Sequence, residues 1–184
     1  MIISHKYKFI FFDIERTGAT SIQSVLTKYD EDGIQFHKHA EYQDVSYFID
    51  IFNIRSDSKY TCFTSIRNPW DHAVSRFEHN KKLNEQEKTF DDFESWITSN
   101  KGGQLKSITG KDGNVITKHI IRFENIQGDF DAICERIGIP SEEIPHLNSV
   151  SRKHYTEYYS DKTRKIIASQ YAQEIEMFSY KFGD

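Results

Sequence analysis

Two stretches of strand length and mainly apolar character organise the first half of the chain. Lys8–Ile14 reads as a strand buried on both faces, and Tyr60–Ile66 as a second apolar strand. Each is followed by a short polar turn and then by apolar residues at helical spacing. The first helix is expected from about Thr20 to Lys28, with Ile22, Val25 and Leu26 on its inner face, and Tyr29–Gly33 forms a turn after it. The second starts at Asn68, an N-cap residue, with Pro69 at the first helical position, and runs to about Lys82. Asp44–Phe52 predicts a short helix. Thr89–Asn100 predicts another, with Phe90, Phe93, Trp96 and Ile97 on one face and Thr89 and Asp92 in a capping-box arrangement.

Farther along, Leu105–Thr109 and Val115–Thr117 flank GKDGN and predict a hairpin. Ile120–Phe123 predicts a strand, and Asp129–Ile137 a helix closed by Gly138. An irregular stretch, Pro140–Arg152, precedes one long amphipathic helix over Ser160–Phe178. Strands alternating with helices imply an α/β fold, a central and mainly parallel sheet flanked by helices. No repeat or Gly/Ser/Pro-rich linker divides the chain, so residues 1–184 are expected to form a single domain. In such sheets ligands bind at the carboxyl ends of the strands, where both polar turns fall.

Composition narrows the partners. The net charge of -4 argues against a chain-wide nucleic-acid footprint. No apolar run approaches a membrane span and the N-terminus lacks a signal h-region, so the expected setting is intracellular and cytoplasmic. Cys62 and Cys134 fall in a predicted strand and a predicted helix, with no CxxC spacing, and read as buried thiols.

The two turns carry the chemistry. IERTGATS, Ile14–Ser21, opens a helix, where backbone N–H groups without intrahelical partners point at whatever sits there. Gly18 and Ala19 allow close backbone approach. Thr17, Thr20 and Ser21 add hydroxyls, and Arg16 adds a cationic fork. It is not a Walker A loop, since no Lys occupies the place of that motif's lysine. On its own it reads equally as an anion site or as an ordinary strand–helix turn with a capping Thr. The second turn, RNPWDHAVSRF, shifts the balance. Ser75 lies two turns above the cap, on the face that brings it to Arg67, so the two can meet on one phosphate. Two anion sites imply a ligand with two separate phosphate-like groups.

These segments resemble the 5′-phosphosulfate loop and the 3′-phosphate motif of sulfotransferases that use 3′-phosphoadenosine 5′-phosphosulfate (PAPS), most like the carbohydrate and heparan sulfate 2-O-sulfotransferase branch and its bacterial relatives. The family's second motif, roughly R-N-P-x-D-x-x-V-S-x-[YF], is matched without departure by Arg67–Phe77. Its first, roughly H-I-P-K-T-G-G-T-S, is matched by DIERTGATS with four changes, one of them Ala19 for the second Gly. Asp13 replaces the His, Glu15 the Pro and Arg16 the Lys. RFENI at Arg122–Ile126, PHLNSVSRKHY and the final EMFSYKF also resemble bacterial members.

The resemblance implies a P-loop-like sulfotransferase fold and transfer of a sulfuryl group from PAPS to a hydroxyl, with a carbohydrate leading as acceptor and 3′-phosphoadenosine 5′-phosphate (PAP) as product. It implies that Arg16, Thr17, Gly18, Ala19, Thr20 and Ser21 hold the 5′-phosphosulfate and that Arg67 and Ser75 hold the 3′-phosphate. Ser151 and Arg152 resemble the nucleotide contacts of a late loop. Members of this branch carry a catalytic His between the motifs, which makes His39 the expected base, beside His37 and Glu15. The His37–His39 spacing also invites a metal reading, but no further ligand cluster supports it and the resemblance requires no metal. A P-loop-like kinase and a non-catalytic PAP-binding protein are the other readings. The missing Walker lysine counts against the first, and the Arg16 and Glu15 changes motivate the second.

Overall fold

The computed structural model describes residues 1–35, 60–83, 92–99, 102–110, 113–147 and 151–184. They divide into two compact units, Met1–Ile66 with Gln104–Asn148, and Arg67–Gly103 with Ser149–Asp184. Five strands are described: β1 (Ile2–Ser4), β2 (Phe9–Phe12), β3 (Ile34–Gln35), β4 (Thr61–Ile66) and β5 (His119–Arg122). Six α-helices are described: α1 (Ala19–Tyr29), α2 (Pro69–Leu83), α3 (Phe93–Ser99), α4 (Ile126–Ile137), α5 (Asp161–Gln170) and α6 (Ala172–Phe178).

All five strands belong to the first unit and form one sheet in the order β3-β1-β2-β4-β5. β2, β4 and β5 run parallel, and β1 lies antiparallel to both β2 and β3. The expected α/β architecture with a mainly parallel sheet is therefore present. β2 is buried on both faces, as its unbroken FIFF predicts. One face sends Phe9, Phe11, Phe63 and Ile121 into a core with Ile22, Val25 and Leu26 of α1 and Phe130, Ile133 and Cys134 of α4. Phe63 is its hub, with ring centroids 5.1 Å from Phe11 and 5.7 Å from Phe9. Side chains of this size each contribute about 1.5–3 kcal/mol on burial. That core fixes the carboxyl end of β2 and the start of α1, between which the first turn is strung.

The second unit is helical and its core is aromatic. Phe93 of α3 stacks on Trp96, meets Phe77 of α2 edge-on, and meets Tyr159 at 4.9 Å. Trp70, Tyr155 and Tyr159 all pack edge-on against Phe182. The guanidinium of Arg76 lies 5.5 Å over the Trp96 ring.

Several elements differ from expectation. Leu105–Ile108 is a 3₁₀ turn, not the first arm of a hairpin. Leu105 and Ile108 are both buried, and three-residue spacing puts them on one face where strand alternation would separate them. Among the described residues the hairpin keeps the bridge Thr109–Val115, flanked by bonds from the Ile116 N–H to the Ile108 carbonyl at 2.9 Å and from the Gly110 N–H to the Asn114 carbonyl at 2.8 Å. The strand foreseen at Ile120–Phe123 ends at Arg122, and α4 starts three residues before Asp129. Asp129 instead folds back to accept from the Arg122 N–H (2.7 Å) and the Asn125 amide (2.8 Å). The long terminal helix is two helices, broken at Tyr171, which is buried edge-on against His72. In α3, Asp92 is the cap itself, accepting from the Ser95 N–H at 2.7 Å, while Thr89 and Phe90 lie outside the described residues. The helix expected over Asp44–Phe52 also lies outside them.

Candidate active site

The first turn follows β2. Arg16 adopts a left-handed backbone (φ 61°), uncommon for a non-glycine residue. Gly18 is the N-cap of α1, also left-handed at φ 84°, and no side chain caps the helix. The first intrahelical bonds run from the Ser21 and Ile22 N–H groups to the Gly18 carbonyl, at 3.0 and 3.2 Å. The N–H groups of Ala19 and Thr20 precede them and so have no intrahelical acceptor. No acidic residue sits in this first turn. Such a helix start offers backbone donors and the positive end of the dipole to an anion.

The hydroxyls of the turn are unequal. Thr17 is fully buried, and its Oγ1 donates to the Ile14 carbonyl at 2.8 Å and meets Ser65 Oγ at 2.7 Å. It ties the turn to β4 and does not cap α1. Ser21 Oγ accepts from the Leu147 N–H at 3.2 Å. Thr20 is half-buried. The turn is backed by Phe123 and Ile126: a Cβ at Gly18 would lie 2.6 Å from Ile126 Cδ1. Asp13, where the resembling family has His, is buried and accepts from the amine of Met1. Glu15 and Arg16 are half-buried.

The second turn follows β4 in the chain. Asn68 caps α2 as expected. Its Oδ1 accepts from the Trp70 N–H at 3.1 Å, its carbonyl from the His72 N–H at 2.8 Å, and its Nδ2 donates to the Lys181 carbonyl. Arg67 Nη1 reaches Ser75 Oγ at 3.2 Å, so the pair singled out by spacing is in contact. Asp71 was not foreseen as part of this group. Its Oδ2 accepts from Arg67 Nε at 2.7 Å and its Oδ1 from Arg152 Nη2. The sequence signal is that Asp71 fills the D of the motif, four residues after Arg67. Arg152 thus joins Arg67, whereas Ser151 is exposed.

The segment after Arg152 is fixed to α2. Tyr159 donates its hydroxyl to the Trp70 carbonyl at 2.8 Å. Burial pushes this phenol strongly upward, so it stays a neutral donor. Burial also raises Tyr158, and its bond to Glu78 raises it further. His37 and His39 lie outside the described residues. Among the described residues, no group of three or more His, Cys, Asp or Glu is placed to hold a metal, and no helix is long and apolar enough to cross a membrane.

Each unit thus carries one of the two turns that the sequence singles out. The chain belongs to the sulfotransferase family, whose model matches residues 1–181 and so spans both units. No curated protein and no solved structure matches closely enough to add to that assignment.

Proposed function

We propose that the protein transfers a sulfuryl group from PAPS to a hydroxyl acceptor, with a carbohydrate as the leading class. The observation that carries the reading is the Arg67–Ser75 contact at the capped start of α2. An arginine fork and a hydroxyl brought together beside a helix start suit a phosphate monoester, and in PAPS that group is the 3′-phosphate. The Ala19 and Thr20 amides, with Arg16, then serve the 5′-phosphosulfate. Sulfuryl transfer, like phosphoryl transfer, spreads charge over equatorial oxygens and onto the leaving phosphate. Positioning and electrostatic stabilisation therefore supply most of the catalysis. His39 accepts the acceptor's proton.

Binding of PAP and of AMP, which lacks only the 3′-phosphate, tests the assignment. Arg67→Ala should weaken PAP by about 2 kcal/mol or more, the scale for losing a partner of a charged group. AMP should lose little. Equal losses for both ligands would sink the 3′-phosphate assignment. Tight PAP binding with no sulfuryl transfer from PAPS would mark a binding protein.

A further inference from the structure

We infer that Asp71 is a positioning residue that holds Arg67 and Arg152 together as a two-arginine clamp for the 3′-phosphate. The inference rests on the reading above and adds to it the residue that organises the subsite. Asp71 uses both carboxylate oxygens. Oδ2 takes Nε of Arg67, four residues before it, and Oδ1 takes Nη2 of Arg152, 81 positions away. With its Nε engaged, the Arg67 fork directs Nη1 to Ser75 Oγ. The three charged side chains are only 10%, 14% and 16% exposed, so they are held in a confined space.

A simple structural ion pair needs one arginine. Here one carboxylate faces two guanidiniums, and Ser75 adds a hydroxyl beside Arg67. Two guanidiniums side by side repel each other, and ordering two long side chains costs entropy. The carboxylate between them offsets both before any ligand arrives. Arg152 also starts from a firm base, because the Tyr159 hydroxyl fixes its segment to the α2 backbone. The clamp is thus preformed, which removes its ordering cost from the binding step.

Positioning and charge make opposite demands on this residue. A carboxylate near a phosphate repels it, so if charge were its whole effect, Asp71→Asn would bind PAP more tightly. If Asp71 positions the arginines, the same change loosens the clamp and weakens PAP. Asp71→Glu keeps the charge and moves the carboxylate outward by one methylene.

The experiment measures PAP and AMP affinities for wild type, Asp71→Asn and Asp71→Glu. Both variants should lose PAP affinity by about tenfold or more, the scale for hydrogen bonds to charged groups. AMP should be unchanged, so the PAP-over-AMP ratio falls, a readout that general destabilisation would not move. Arg152→Gln should lower the same ratio. If Asp71→Asn does not fold, the charge-preserving Asp71→Glu decides by that ratio. A wild-type preference for PAP that survives the substitutions overturns the role of Asp71 alone. A wild type that does not prefer PAP to AMP overturns the 3′-phosphate reading and this inference with it.

Discussion

Gly18 carries two constraints at once. Its φ of 84° is a conformation that side chains resist, and a Cβ there would sit 2.6 Å from Ile126 Cδ1. Gly18→Ala should therefore destabilise the protein by about 2 kcal/mol or more, combining left-handed strain with overpacking. Urea unfolding measures this, and a change of a few tenths would mean that neither the strain nor the overpacking operates. Arg16, two residues earlier, holds a left-handed backbone without being glycine. If it stabilises the transferring group, Arg16→Ala should cut turnover more than PAPS affinity, and Arg16→Lys should keep substantial activity. A loss confined to binding would place Arg16 outside the chemical step. For the base, His39→Ala should lower turnover by about 10²-fold or more with PAP affinity near wild type. Glu15→Gln should be milder. Full turnover in His39→Ala with none in Glu15→Gln would make Glu15 the base.

Helix starts with their own chemistry were the most legible elements. Asn68-Pro69 states a cap and a first position, and α2 begins there. Gly138 likewise closes α4 with φ 74°. β1 and β3 escaped because three and two residues are too short for a period to show. Tyr171 breaks the terminal helix without Gly or Pro, through burial against His72, which only tertiary packing reveals. The site divides the same way. Arg67 with Ser75 was legible because the cap at Asn68 and the helix that starts at Pro69 fix their relation. The Asp71–Arg152 bond was not, because its partners lie far apart in sequence. At α3 the missed cap has a pH consequence. Bonds from the Ser95 N–H and then its hydroxyl hold the Asp92 carboxyl below its ordinary 3.8. A depressed folded value gives stability that is present above the unfolded pKa and lost as pH falls through the folded one. Asp92→Asn keeps a capping oxygen without the titration. Acid titration of stability should therefore show a shallower fall below about pH 4 for the variant than for wild type. Identical profiles would remove Asp92 from the acid response.

The chain places natural probes in separate units. Both tryptophans, Trp70 and Trp96, belong to the second, and both cysteines, Cys62 and Cys134, to the first. Cys134 is buried in α4, and burial pushes its thiol up to about 11. It should therefore resist alkylation near neutral pH except when its unit opens. Tryptophan fluorescence follows the other unit. The proposed reading assigns the 5′ end of the nucleotide to the Ala19 and Thr20 amides and the 3′-phosphate to Arg67 and Ser75. PAP at about 100 times its Kd should add about 2.7 kcal/mol to the tryptophan-monitored unfolding free energy. It should also slow labelling of Cys134 by up to about a hundredfold, because labelling through opening tracks the population of the open form. Arg67→Ala should reduce both effects at the same PAP concentration. If PAP shifts the tryptophan transition and leaves the Cys134 rate unchanged, the nucleotide is held by the second unit alone. The Ala19 and Thr20 amides then lose their assignment to the 5′ end.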